Sequence, residues 1–281
     1  MTDTYTVTYT ARSITYTLSG TDATTGLTIQ YLGDQGFGLA PLRRITTRGP
    51  LQDGDSDIDF RLEPRVLQLP LMVVNTSSTS PRYQHYEIRE KLLQIFRPGD
   101  DAYITITRND GTTTKTRRIN VKVLGGLSFD VDPNGYHVRT VVQLRASDPT
   151  WYDPQDVDTI YTNANINGTQ VYPNSGNWDV FPVIQLEGPI TNPVITNSTT
   201  GQSISIVGTI AFPSFYIIDL TYGAKTVVDD LGANKISTVT PSSNLATWSI
   251  IPGNNTIAIT GTGTNVNTRA LFSYYYRYTG I

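Results

Sequence analysis

GNWDVFPVIQLEGPITNPVITN, residues 176–197, consists of short apolar runs that proline and glycine interrupt. Pro182 and Pro193 each stand at the start of an apolar run, where a strand loses least from a missing N–H group, and Gly188 separates the two runs. The stretch therefore predicts two short strands joined by a turn. It marks the front edge of a β-domain that begins at about residue 176.

Apolar runs of similar length recur through the rest of the chain. They are spaced by roughly 8 to 12 residues and bounded by turn-forming residues, which is typical of a β-sandwich. Examples are QSISIVG at 202–208 and NTIAITG at 255–261. The tract at 160–177, by contrast, is rich in Asn, Thr and Gly, so residues 151–175 are predicted to be a connector rather than part of the sandwich.

Composition favours an all-β chain with two domains. The 281 residues include 17 Tyr and many Thr, Val and Ile, which suit strands better than helices. Residues 1–150 carry 17 Lys+Arg and 16 Asp+Glu, whereas residues 151–281 carry 4 and 8. DPTWYDP at 148–154 has two Asp-Pro steps, which favour a stiff exit from a domain. We therefore predict a first domain at 1–150, the connector at 151–175 and the sandwich at 176–281.

One helix is predicted in the first domain, at about residues 81–97. Ser80 can cap it, and Arg97-Pro98-Gly99 ends it. Its apolar residues recur at helical spacing: Ile88, Leu92, Ile95 and Phe96. An amphipathic helix of this kind is expected to pack on a sheet.

Strands and hairpins account for the rest of the first domain. TYTVTYTARSITYTLSG at 4–20 alternates as paired strands do. Two hairpins follow the helix, because turn-forming residues stand between alternating runs at Asn109-Asp110-Gly111 and at Pro133-Asn134-Gly135. The predicted fold class is mainly β, with an N-terminal β-domain that carries one helix and a C-terminal β-sandwich.

No catalytic, cofactor or metal site is predicted. His85 and His137 are the only imidazoles, no G-x-S-x-G motif accompanies them, and the chain has no Cys. Ile58 stands where a Ca²⁺ loop needs Gly, so we interpret the acidic run that contains it as a solvated loop. That run is Asp53, Asp55, Asp57 and Asp59. We expect a protein that is not an enzyme. A further interpretation is a glycan hydrolase, which requires two acidic side chains about 5 to 10 Å apart in a cleft.

Charge and hydropathy exclude two further classes of function. The net charge of −3 argues against a general nucleic-acid binder, which needs a surplus of Lys and Arg. No apolar stretch approaches the roughly 20 residues that span a bilayer. We therefore expect no nucleic-acid binding and no membrane insertion.

Aromatic residues of the second half suggest a sugar-binding surface, with Trp178, Trp248 and Tyr275 as candidates for stacking. Alternation near the C-terminus offers a second interpretation. It places Tyr275 and Arg277 on one face of a strand and a core-facing set on the other: Phe272, Tyr274, Tyr276 and Tyr278.

The order of segments resembles that of the distal tail proteins of long-tailed siphophages. The resemblance covers nearly the whole chain, and its second half is more specific than its first. This chain lacks a large insertion in the second half, so it is similar to short members of that family. The matching pieces are Gly176-Asn177-Trp178, Pro182-Val183-Ile184, Gly188, Asn192-Pro193, Ile218-Asp219-Leu220 and Pro252-Gly253-Asn254.

The resemblance implies a structural role at the distal end of the tail in the virion, after assembly in the host cytoplasm. The N-terminal domain would form a homohexameric ring beneath the tail tube, and the second domain would be galectin-like. Implied partners are the tail tube protein, a tail hub or tail-associated protein, and receptor-binding proteins. The alternative is a stand-alone carbohydrate-binding or adhesin module.

Two basic clusters are candidates for the subunit or tube contacts of such a ring. The other interpretation is that they are exposed strand faces paired with nearby carboxylates. The candidate residues are Arg43, Arg44, Arg48, Arg117 and Arg118.

Overall fold

A computed structural model describes residues 4–74, 81–131 and 136–281. The chain divides into two units, one that ends at Tyr152 but also includes Thr279–Ile281, and one that spans Asp153–Tyr278. The predicted cap Ser80 and the predicted turn at 133–135 lie outside the described residues.

Twelve strands are described in the first unit. In the main sheet, neighbours pair in the order β2-β1-β8-β9-β11-β7-β4-β3, while β5 and β6 pair with each other in a separate two-stranded sheet. The strands are β1 Thr4–Ala11, β2 Ile14–Thr17, β3 Gly20–Thr21, β4 Thr28–Tyr31, β5 Leu42–Thr47, β6 Ser56–Leu62, β7 Arg65–Val74, β8 Ala102–Asn109, β9 Thr114–Gly126, β10 Asp130–Val131, β11 His137–Ala146 and β12 Trp151–Tyr152.

A single α-helix, α1, spans Pro81–Ile95 in the described part of the chain and ends two residues before the predicted limit. Its predicted apolar residues are buried, as the helical spacing requires. Phe96 follows the helix, and its ring centroid lies 4.7 Å from that of Tyr9 on β1. This contact packs the helix end on the main sheet.

Both predicted hairpins form. β8 and β9 pair along their length, and the carboxylate of Asp110 accepts hydrogen bonds from the N–H groups of Thr112 and Thr113 in the turn. β10 is short but pairs with β11. Local turn chemistry therefore predicts these pairings correctly.

The second unit consists of two sheets that enclose one apolar core. One sheet has the order β13-β22-β15-β19-β20, and the other has the order β14-β21-β16-β17 with β18 paired to β16. Tyr172 and Phe272 join the two sheets, with ring centroids 4.8 Å apart. The strands are β13 Val157–Thr162, β14 Thr169–Asn174, β15 Val183–Glu187, β16 Ile190–Asn197, β17 Gln202–Ser205, β18 Thr209–Ile210, β19 Phe215–Asp219, β20 Thr226–Asp229, β21 Gly253–Thr262, β22 Arg269–Tyr274 and β23 Arg277–Tyr278.

Residues 151–175 differ from their predicted role as a connector. They contain β13 and β14, which lie in opposite sheets of the sandwich, with Tyr161 and Tyr172 fully buried between them. Burial alternates along both strands but does not follow polarity, since Ile160 and Val171 are exposed and Asn174 is buried, so the polar composition of the tract does not reveal its place in the sandwich. The mainly β fold class with one helix is confirmed, and no described helix is long and apolar enough to cross a bilayer.

Candidate functional site

The separate sheet of β5 and β6 forms an arm, defined here as residues 42–62. Its strands pair only with each other, and nearly every residue is exposed, with Gln52 and Leu62 half-buried. A two-stranded sheet that packs on nothing is marginally stable in water. The arm therefore has the exposed faces expected of a segment that binds another surface.

Large apolar side chains cover this arm. A group of exposed apolar residues in one segment is typical of an interaction site, whereas single exposed apolar residues need no explanation. The exposed fractions are Leu42 40%, Ile45 40%, Leu51 105%, Ile58 64% and Phe60 43%.

Register divides the arm into two faces. Leu42 lies opposite Leu62, and Arg44 lies opposite Phe60, so these four residues share one face. Arg43 lies opposite Arg61, and Ile45 lies opposite Asp59, on the other face. We call this second set of four residues the basic face of the arm.

Ion pairs within the arm engage half of its eight charged side chains. Arg44 contacts Asp57 at 3.1 Å, and Arg61 contacts Asp59 at 2.9 Å. Arg48 donates from Nε to the carbonyl of Gln52 at 3.0 Å. Two of the four aspartates of the acidic run are thus held by arginine, and no cluster of three metal-binding side chains occurs among the described residues.

Arg43 has no ion pair in the described part of the chain, and its cross-strand neighbour is another arginine. Like charges directly opposite each other destabilise a strand pair. The basic face therefore keeps a local excess of positive charge, which an acidic partner surface can neutralise.

The second predicted basic cluster has a different environment. Arg117 and Arg118 are half-buried on β9 in the main sheet. Arg117 donates from Nη1 to the carbonyl of Thr116 at 2.7 Å, and the guanidinium of Arg118 lies 5.0 Å from the ring centroid of Tyr103. The two basic clusters belong to separate sheets, and only the first is carried by a free arm.

The predicted sugar-stacking residues do not form one surface. Trp248 is fully buried in the core of the sandwich, so its ring cannot stack on a ligand, and this prediction is wrong. Trp178 is half-buried, and Tyr275 is 37% exposed. The sequence signal failed because Trp248 stands in a stretch without strict alternation, where the inward and outward positions cannot be distinguished.

Alternation near the C-terminus also stops earlier than predicted. Phe272 and Tyr274 are buried as expected, but Arg277, predicted to share the outward face with Tyr275, is 6% exposed. β22 ends at Tyr274 and β23 begins at Arg277, so the inward positions shift by one residue. The guanidinium of Arg277 lies 5.5 Å from the ring centroid of Phe181, and its Nη1 donates to the carbonyl of Asp179 at 3.0 Å.

Arg65 on β7 is a buried residue that the sequence did not single out. It is 1% exposed and donates from Nη1 to the carbonyl of Gly38 at 2.8 Å and from Nη2 to the carbonyl of Thr279 at 2.5 Å. Burial lowers the pKa of its guanidinium to about 10. It fixes the last residues of the chain within the first unit. Its position as the first residue of an alternating strand is the one signal that it faces inward.

No protein-family model matches the chain, and no curated protein sequence matches it either. Among solved structures, the chain is similar to the Dit protein of phage SPP1, described as a paradigm of the hub adsorption apparatus in phages that infect Gram-positive bacteria. The identity is 14%, the alignment covers 95% of this chain and 98% of that chain, and the TM-score is 0.66.

Weaker likenesses are found to two chains of the phage P2 baseplate in its activated conformation. The chain from the structure with Ca has 9% identity, a TM-score of 0.45 and full coverage of both chains. The chain from the structure with Sr has 8% identity and a TM-score of 0.45, with 99% of this chain and 100% of that chain covered. The likeness to SPP1 Dit carries the conclusion: this chain has the fold of a siphophage distal tail protein, as the sequence resemblance predicts.

Proposed function

We propose that this protein is a structural component of a phage tail tip, in which six copies form a ring between the tail tube and the hub. The observation that carries the proposal is the fold, shared with SPP1 Dit along 95% of the chain. The proposed partners are the tube protein, a hub or tail-associated protein and receptor-binding proteins. The protein has no catalytic role in this proposal, and it acts in the virion after assembly in the host cytoplasm.

The arm supports the ring proposal from within the chain. A ring needs a heterologous contact, in which one surface of a subunit meets a different surface of the next subunit. An exposed strand pair with apolar side chains and excess positive charge is suited to one half of such a contact. The first unit also holds most of the charged residues of the chain. Charge complementarity of this kind selects the partner and its register.

The alternative, a stand-alone carbohydrate-binding module, has less support. Trp248 lies in the core, which leaves Trp178 and Tyr275 as the candidate stacking residues. Aromatic stacking on a ligand requires an exposed ring face, and Trp178 is half-buried.

The ring proposal is tested by the native mass of the full chain. Light scattering of the concentrated protein should give a mass of about 186 kDa, six times the 31.0 kDa of one chain, and electron microscopy should show sixfold rings. A protein that stays monomeric at high concentration, at low and at high salt, contradicts the proposal.

A variant without the arm tests the role of that segment. Leu42 and Leu62 are cross-strand neighbours, so an Asn-Gly turn can join them and replace residues 43–61. The variant should be monomeric and keep its melting temperature, because the removed residues are exposed. The matched control is Leu231→Asn, which removes an exposed apolar side chain of the second unit and should leave the ring intact. Rings formed by the shortened variant show that the arm is not a ring contact.

A further inference from the structure

The outer face of α1 carries three exposed large side chains. Tyr83, Tyr86 and Leu93 are 66%, 63% and 52% exposed, while Ile88 and Leu92 on the opposite face are buried. Their spacing of three and seven residues places them in one stripe along the helix. In a helix whose other face already packs on the sheet, such a stripe is an unoccupied apolar surface.

Two glutamates lie on the same side of the helix. Glu87 and Glu90 are exposed, and neither has an ion pair in the described part of the chain. The neighbouring cations are otherwise engaged, since Lys91 donates to the carbonyl of Thr25 at 3.0 Å and the guanidinium of Arg89 lies 5.3 Å from the ring centroid of Phe129. The guanidinium of Arg89 also lies 5.8 Å from the ring centroid of Tyr86, so the acidic border of the apolar stripe is the side with Glu87 and Glu90.

The basic face of the arm has the complementary chemistry. Ile45 supplies an exposed apolar side chain, and Arg43 beside it supplies a cation that has no ion pair in the described part of the chain, whereas Arg61 already pairs with Asp59. The lengths also agree. A strand of seven residues extends about 23 Å at roughly 3.3 Å per residue, and a helix of 15 residues extends about 22 Å at about 1.5 Å per residue.

The two surfaces are not in contact within one chain. The arm residues and the helix stripe are exposed in the same structure, so neither covers the other. A second copy can bring them together, and a contact between two different surfaces repeats from copy to copy until the ring closes.

We propose that the basic face of the arm lies along the outer face of α1 of the next copy. Ile45 packs against the stripe of Tyr83, Tyr86 and Leu93, while Arg43 pairs with Glu90. This inference rests on the proposed ring and names its two contact surfaces.

Disulfide cross-linking tests the contact directly, because the natural chain has no Cys. The full chain with Ile45→Cys and Tyr86→Cys should give a ladder of linked species up to six chains after mild oxidation, and reduction should remove the ladder. The matched control joins Ile45→Cys with Leu231→Cys, whose second position is exposed but lies in the second unit. That control should give no ladder beyond linked pairs.

Charge reversal provides a second measurement that does not depend on cysteine. Arg43→Glu and Glu90→Lys should each weaken assembly about tenfold or more, and the two together should restore it, because the pair is then reversed rather than removed. Melting temperatures of the variants should equal that of the natural protein, since both side chains are exposed.

The possible results separate this inference from the ring proposal. If rings form but the ladder of linked species does not, the arm-to-helix contact is refuted. The same holds if single charge reversals leave assembly unchanged. Neither result contradicts the ring proposal. A disulfide between residues 45 and 86 of the same chain refutes the arm-to-helix contact as well. If the protein does not assemble at all, both the ring proposal and the arm-to-helix contact are refuted.

Discussion

Replacement of Arg65 by Met should release the C-terminus of the chain while it changes global stability only modestly. Arg65 is almost fully buried, and its guanidinium donates most closely to the carbonyl groups of Gly38 and Thr279, with longer bonds to those of Gly36 and Phe37. The same segment is held by the N–H of Ile281, which donates to the carbonyl of Phe37 at 3.2 Å. Met replaces the apolar stem of the arginine side chain as far as Nε but has no guanidinium and donates no hydrogen bond.

Two opposing contributions determine how the Arg65→Met substitution changes the free energy of unfolding. The two closest carbonyl groups lose a charged donor, at about 1–3 kcal/mol each. Burial lowers the pKa of Arg65 to about 10, and one pKa unit corresponds to about 1.4 kcal/mol, so removal of the buried charge offsets about 3 kcal/mol of this loss. The free energy of unfolding should therefore fall by no more than about 3 kcal/mol.

The local effect is larger, because Thr279 is half-buried and can turn its carbonyl towards water. Loss of one charge-assisted hydrogen bond, about 1.5–3 kcal/mol, should speed local opening by roughly 10- to 100-fold. Hydrogen exchange of the C-terminal peptide, read by mass spectrometry, measures this opening. Arg269→Met is the control, because Arg269 is exposed and pairs with Glu187 at 2.6 Å in the second unit. Unchanged exchange at the C-terminus, together with a global loss above about 4 kcal/mol, would refute this account.

Two further substitutions have defined outcomes. Tyr9→Phe should raise stability by about 1 kcal/mol in urea denaturation at pH 7, because the buried hydroxyl of Tyr9 has no partner among the described residues. Burial raises the pKa of Tyr9 from 10.0 to about 12. Between these pH values the folded state keeps a proton that the unfolded state loses, so the free energy of unfolding should fall from pH 10 to pH 12. The fall should be less steep in the Tyr9→Phe variant. Gly126→Ala should cost at least about 2 kcal/mol, because Gly126 has φ +101° and a Cβ atom there would lie 2.3 Å from the carbonyl oxygen of Val141. The neighbouring Gly125→Ala has open space and should change the melting temperature little; equal effects of the two glycine substitutions contradict this reasoning.

Features set by local chemistry could be predicted from the sequence. The helix follows from the spacing of Ile88, Leu92 and Ile95, and the β8–β9 turn follows from Asp110 and Gly111. Gly188, one of the residues that carry the family resemblance, is required for a structural reason, since a Cβ atom there would lie 2.2 Å from the carbonyl oxygen of Ile210.

Features set by distant contacts could not be predicted. Arg65 and Arg277 are buried because backbone carbonyl groups far along the chain surround them, and no local pattern distinguishes them from surface arginines. The arm shows the opposite case. Its strands alternate like those of the main sheet, yet nearly all of their residues are exposed, and the sequence does not record which strands remain exposed on both faces.

The strength of the proposed contact determines how the ring assembles. Exposed ion pairs such as Arg43 with Glu90 are worth about 0–1 kcal/mol each, and partial burial of Ile45, Tyr86 and Leu93 adds about 1 kcal/mol per side chain. A single contact of this size gives an affinity no better than about millimolar. A closed ring gains one more contact than an open chain of six copies, and that last contact forms within one assembly at high effective concentration. Monomers and complete rings should therefore dominate, with few dimers or trimers between them.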